Sequence, residues 1–393
     1  MQDRLNSIDA IRGICLVSIF TAHLGLHDLP SLTIAGIGFI DSADIFVLLS
    51  GISVFFAYGS FATERKPKQL VAVLWRRALK LYLVNVALLL ATISVSAGFA
   101  TAFGSQALHA ELLRGEVLEV GGFDGLTLRT VWSLVAFEHR IGYSAILRLY
   151  TGLMLLAPPL VWLAARRWWL PLLPATCVWL VAGHLGLIVS CRLSGEPLTL
   201  PILPWLVVFV LGLSLGAAIR QGVRLPASRL AVGLALLYLT GVLILSVVLV
   251  RFVPEVAAWT DRRHDLFWLG ASKLYQSPLR IAQLVALAYL VLALPQAPLL
   301  RLIRMVRPDS LFCRLGRRSL PVFAAGIVCA LFGNEVLHLL RPEGGTATGL
   351  RLVAEAALLG LGFLAMLAAA EGVRPRRLAT PWPAQHPIPS AGS

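Results

Sequence analysis

Charge and cysteine are both scarce in this chain. Only 14% of its 393 residues are charged, against about 25% in ordinary soluble domains, so a solvated globular domain fits poorly. The five cysteines, Cys15, Cys177, Cys191, Cys313 and Cys329, are scattered and include no CxxC pair. They read as small apolar fillers, which argues against a disulfide framework or a thiolate metal site. Ser-x-x-Lys and HExxH spacings are missing, as is a glycine-rich phosphate loop. Serine-hydrolase chemistry of the Ser-x-x-Lys kind, zinc-hydrolase chemistry and P-loop chemistry therefore lack support. No metal and no permanently bound cofactor is expected.

What the chain has in abundance is apolar length. Hydrophobic residues make up 58% of it, and the mean hydropathy is +0.81. Runs of roughly 17–25 apolar residues recur, each able to cross about 30 Å of hydrocarbon. The spacing predicts an all-α polytopic membrane protein with about ten transmembrane helices. They fall near 10–29, 40–59, 78–98, 142–165, 169–190, 201–219, 230–250, 279–296, 319–339 and 350–370. The net charge of +14 does not indicate nucleic acid, because the basic residues cluster in short segments between runs. Those segments include "ERKPKQLVAVLWRRALK", "RQGVRLPASR" and "RLIRMVRPDSLFCRLGRR". The positive-inside rule then places both termini in the cytoplasm, and the acidic residues fall mostly on the other side.

The N-terminus carries Asp3, Arg4 and Asp9 and shows no small-x-small cleavage site, so the first run is expected to be retained. Residues 1–372 read as one integral membrane domain and the proline-rich 373–393 as a disordered cytoplasmic tail. The outer connection 99–141 holds Glu111, Glu116, Glu119, Asp124 and Glu138 and is expected to lie over the bundle. A second outer loop, "VPEVAAWTDRRHDLFWLGASKLYQSP", mixes charges with aromatics, as carbohydrate sites and ordinary interfacial belts both do.

Inside the first run stands "RGICLVSIFTAH", and ionisable groups within a bilayer mark sites. Arg12 and His23 are eleven positions apart, three turns plus about 20°, so they share a helix face about 16 Å apart along the axis. Asp44, in "DSADIFVLLSG" at the start of the second span, is expected at the depth of His23. There it would pair with the imidazole, as in catalytic His–Asp couples. A path from a cytoplasmic arginine to an outer histidine suits a long substrate with an anionic head, such as acyl-coenzyme A. Arg76, Arg77 and Lys80, near the inner face, would join Arg12 in holding its phosphates.

These residues resemble a known family. Arg12-x10-His23 is similar to the first-helix signature of the membrane acyltransferase-3 superfamily, and "DIFVLLSG" keeps the spacing of its second-helix motif. The chain resembles one branch most closely, the OpgC family of osmoregulated periplasmic glucan succinyltransferase-like proteins. That likeness runs through "FIDSADIFVLLSG", "RRALKLYLVNVALLL", "LRLYTGLMLLAPP", "LPILPWLVVFVLGLSLGA", "KLYQSPLRIAQLVALAYLVLALP" and "LGRRSLPVF", about residues 5–370. It departs at Ala145, where the branch usually has aspartate, at Arg148, where it has proline, and at Ile52, where an aromatic is common. The resemblance implies ten membrane helices, acyl-CoA as cytoplasmic donor and a periplasmic glycan hydroxyl as acceptor. It transfers roles to Arg12, His23 and Asp44, and further to Arg76, Lys80, Tyr82, Tyr150, Lys273 and Ser319.

Other polar residues in or near the runs read more plainly. His184 reads as a structural hydrogen-bonder, Glu335 and His338 as a structural pair, and His27 and Asp28 as solvated. Glu138-His139 sits where a cavity wall could form. The combined expectation is an O-acyltransferase of the bacterial inner membrane. His23 is its general base, oriented by Asp44, and Tyr150 or Lys273 stabilises an oxyanion or holds an acidic acyl group such as succinyl. Its partners are acyl-CoA, a periplasmic glycan and membrane lipid, with no nucleic acid; the oligomeric state is left open, a homo-oligomer included. A transporter or lipid-linked-sugar flippase is the alternative from another class.

Overall fold

The computed structural model describes residues 2–26, 29, 38–104, 128–139, 142–143, 145–191, 195–223, 226–256, 259, 267–268, 270–294, 305–340 and 348–372. The charged outer connection around Glu111–Asp124, residues His27 and Asp28, and the tail 373–393 lie outside the described residues. Twelve helices carry the described chain. They are α1 (Gln2–His23), α2 (Ser42–Thr63), α3 (Pro67–Phe103), α4 (Leu128–Val135), α5 (Ala145–Arg166), α6 (Leu172–His184), α7 (Ile202–Arg220), α8 (Arg229–Phe252), α9 (Pro278–Ala293), α10 (Leu311–Arg317), α11 (Ser319–Leu339) and α12 (Thr348–Glu371). Each of the ten expected stretches overlaps one of these helices, with α1 ending at His23 and α6 at His184, short of the expected 29 and 190. Seven of them, α2, α3, α5, α7, α8, α11 and α12, are long and apolar enough to cross a membrane. α6 and α9 are apolar but shorter, and α1 carries charge along its first half.

Local sequence explains where helices begin and bend. The Asp41 carboxylate accepts from the backbone N–H of Ala43 at 2.8 Å, while Asp44 accepts from the Asp41 N–H at 2.8 Å, a reciprocal capping box that starts α2. Pro67 opens α3, whose 37 residues reach Gly104 in the left-handed region at φ 64°, about 55 Å in all. Pro158 and Pro159 stand inside α5. Pro159 has no N–H for the Leu155 carbonyl one turn back, and the Trp75 indole N–H donates to that carbonyl at 3.4 Å. Six residues of α8, Ile244–Leu249, widen into a π turn.

Packing divides the helices into centre and rim. In α7, 72% of the apolar window is buried, against 11% in α8 and 17% in α12. The exposed Leu, Val and Phe side chains of the rim suit hydrocarbon. Helices in lipid associate by close fit between small residues, and the α2–α7 seam does so. A Cβ on Gly51 would stand 2.1 Å from the Phe209 carbonyl oxygen, and one on Gly212 would stand 1.9 Å from that of Leu48. The stretch Gly212-Leu213-Ser214-Leu215-Gly216 spells the G-x-S-x-G of serine hydrolases. It runs along one continuous helix with Ser214 buried, not on the strand–turn–helix elbow that exposes such a nucleophile.

Candidate functional site

His23 is the last residue of α1 and lines one side of a cavity of about 580 Å³. The cavity is also lined by Ser18 and Ile19 of the same helix, by Asp41 and Ser42 at the start of α2, and by Tyr143, Thr199 and Lys273. The imidazole stacks on the Tyr143 ring, with centroids 4.5 Å apart and planes 19° from parallel. Across the cavity the Lys273 ammonium meets the Asp41 carboxylate at 2.5 Å.

The structure does not bring Asp44 to His23. The Ser42 hydroxyl donates to the Ser18 hydroxyl at 2.5 Å, which sets Ser42 level with a residue five positions below His23. Asp44 is two residues further along, so its Cα lies about 10 Å below His23 along the axes. The expected match in depth took the first helix to residue 29. It ends at His23, and α2 begins at Ser42, level with Ser18. The fully buried Asp44 carboxylate instead takes the Arg280 guanidinium, the Gln276 amide at 2.7 Å and the Asp41 backbone N–H. Asp41, not Asp44, is the carboxylate that faces the cavity with His23.

A set of side chains unremarked in the sequence holds this turn. The Gln283 amide oxygen accepts from the N–H groups of Phe39 and Ile40 at 2.9 and 3.3 Å, and Arg280 donates to the Phe39 carbonyl as well as to Asp44. Backbone polar groups at a helix start need partners wherever water is scarce, and α9 with its preceding turn supplies them. The signal in the sequence was Arg280 itself, a charge within an apolar run, which requires a buried counter-ion.

Arg12 lies beyond the cavity. Its guanidinium sits over the Phe46 ring, 5.3 Å from the centroid. Phe46 packs edge-on against Tyr150 with centroids 5.8 Å apart, and the Tyr150 hydroxyl donates to the Ser50 hydroxyl at 3.0 Å. Phe46 is one turn past Ser42 on α2, so this buried aromatic pair packs between Arg12 and the floor of the cavity. The continuous path expected from Arg12 to His23 is therefore divided. On α3, Arg77 turns inward and its guanidinium donates to the Tyr58 hydroxyl at 3.3 Å, whereas Arg76 and Lys80 are exposed. The Tyr82 hydroxyl donates to the Val135 carbonyl at 3.1 Å and so ties α3 to α4. The Ser319 hydroxyl donates to the Gly316 carbonyl at 2.6 Å in the bend between α10 and α11, away from the cavity lining.

The remaining polar residues have plain roles. His184 accepts the Trp268 indole N–H at 3.3 Å. Arg148 donates to the carbonyls of Phe137, His139 and Thr199 and thereby joins the chain after α4 to the segment before α7. His139 and Glu335 are buried. Among the described residues, no group of three or more His, Cys, Asp or Glu is placed to hold a metal ion.

Helices of membrane-crossing length around a cavity furnished with an imidazole, an ion pair and hydroxyls define a multi-pass helical membrane protein with a polar internal site. The family profile described as OpgC protein matches residues 4–376, nearly the whole chain, and the chain belongs to that family. Membership suggests glucan modification by an acyltransferase in general terms. Comparison with curated proteins gave no match.

Proposed function

We propose that the protein is a membrane O-acyltransferase that moves an acyl group, succinyl by preference, from cytoplasmic acyl-CoA to a hydroxyl of a periplasmic glucan. The observation that carries this reading is the cavity: His23 faces it together with the Lys273–Asp41 pair, in a chain of the OpgC family. His23 acts as general base and takes the proton of the sugar hydroxyl. The oxygen bonds to the thioester carbonyl carbon and the carbon–sulfur bond breaks. The thiolate recovers the proton from His23 and leaves as CoA. Lys273 offers its ammonium to the developing oxyanion or to the distal carboxylate of the acyl chain. Asp44 serves from below, as the buried anchor of the turn that presents Asp41.

Arg12 and Arg77 take the CoA phosphates, and the exposed Arg76 and Lys80 raise the positive potential that draws an anionic donor to that face. The acyl arm reaches His23 once Phe46 and Tyr150 part. Both termini lie in the cytoplasm and the protein resides in the inner membrane on this reading. The test is release of free CoA by purified protein supplied with acyl-CoA and glucan. His23→Ala is expected to lower that rate by about 10²–10⁴-fold with expression intact. Full acyl transfer by His23→Ala would remove His23 as the base, and substrate uptake without thioester turnover would replace the enzyme with a transporter.

A further inference from the structure

We infer that Asn334 and Tyr143 form a positioning device for His23, one amide fixing both the backbone that carries the imidazole and the ring packed against it. The inference rests on the acyltransferase reading for its kinetic test only. His23 ends α1, so its carbonyl has no helical partner, and in an apolar setting such a group needs one. The Asn334 amide nitrogen, from α11, donates to the His23 carbonyl at 2.8 Å and to the Tyr143 hydroxyl at 3.2 Å. Its amide oxygen accepts the Gly25 N–H at 2.7 Å.

These three bonds join elements far apart in sequence. α11 can approach the end of α1 because Gly333 precedes Asn334; a Cβ there would stand 2.5 Å from a Leu24 methyl. Tyr143 follows the described residue Gly142, which sits at φ 70°, and both line the cavity beside His23. With Tyr143 stacked on one face of the imidazole, ring rotation is restricted and the ring edge is held toward the cavity. A base must meet its proton within hydrogen-bond reach, and a displacement of about 1 Å can cost on the order of 10²-fold in rate. Asn334 and Tyr143 act through His23 and need not touch substrate.

The experiment measures kcat and KM for acyl-CoA in the full chain, together with the rate of His23 carbethoxylation by diethyl pyrocarbonate, read by mass spectrometry. The exposed His184 serves as internal reference. Asn334→Ala and Tyr143→Leu are expected to lower kcat by about 10–100-fold with KM within about twofold, and to speed His23 modification several-fold relative to His184. Tyr143→Phe keeps the stack but loses the hydrogen bond from Asn334, and its kcat is expected to fall between the parent and Tyr143→Leu, a partial rescue that a general loss of packing would not produce. Unchanged kcat and unchanged His23 modification in Asn334→Ala and Tyr143→Leu overturn the inference, as do equal losses in Tyr143→Phe and Tyr143→Leu. If Asn334→Ala fails to fold, the two Tyr143 variants decide. If the parent protein releases no CoA, the acyltransferase reading falls while the modification rates still decide whether Asn334 and Tyr143 hold the imidazole.

Discussion

Replacing Arg280 by methionine is expected to be among the most damaging single changes in the protein. Arg280 is 5% exposed and pairs with Asp44, which is 0% exposed. Methionine roughly fills the volume but leaves a carboxylate without its counter-ion, which typically costs about 3–5 kcal/mol. At about 1.4 kcal/mol per tenfold, the folded-to-unfolded ratio falls by roughly 10²- to 4 × 10³-fold. Asp44→Asn in the same chain removes the stranded charge, and the new side-chain carbonyl can still accept the Gln276 amide. The double variant should therefore recover about 0.5–3 kcal/mol relative to the sum of the two single changes. The assay is the fraction of monodisperse protein left after graded heating in detergent, for the parent, both single variants and the double. Parent-like stability of Arg280→Met, or a double variant no better than the sum of the singles, would refute the pairing argument.

Two further outcomes follow from other parts of the molecule. Gly212→Ala places a methyl 1.9 Å from the Leu48 carbonyl oxygen and should cost about 1–3 kcal/mol by forcing α2 and α7 apart; Gly233→Ala, with no atom within 4 Å of the new Cβ, is the control expected to keep parent stability in the same heating assay. Lys273→Met should lower kcat/KM for succinyl-CoA by roughly 10–100-fold, the worth of one charge-assisted hydrogen bond, while acetyl-CoA changes less than about threefold; equal losses on both donors would place Lys273 on the oxyanion and not on the acyl chain.

The helical bundle was largely legible because apolar length survives in sequence without any knowledge of packing. Each predicted stretch overlaps a helix, yet α1, α6 and α9 fall outside the length and composition that define the seven spanning candidates. The short α10 escaped notice, since seven residues give too little periodicity to read. Its Gly316 and Gly13 of α1 let those two helices touch at the backbone. His23 was visible as an ionisable group within an apolar run and Lys273 through the family resemblance, and both line the cavity. The partner of His23 was misplaced for a geometric reason: one helical turn is about 5.4 Å, and the end of α1 was set six residues too far along. Tyr143 and Asn334 left no signal, because a lone tyrosine near a span end and a lone asparagine within one are unremarkable until distant segments meet.

The site has a stiff base and an adjustable rim. Its base, the Phe39–Asp44 turn, is bolted to α9 and the turn before it by three side chains and continues into a helix wedged against α7 by glycines. The opposite rim, at Tyr143 and Thr199, is non-helical chain gathered by the single guanidinium of Arg148. Exchanges at the rim should therefore alter the shape of the cavity with less cost to the fold than exchanges at its base.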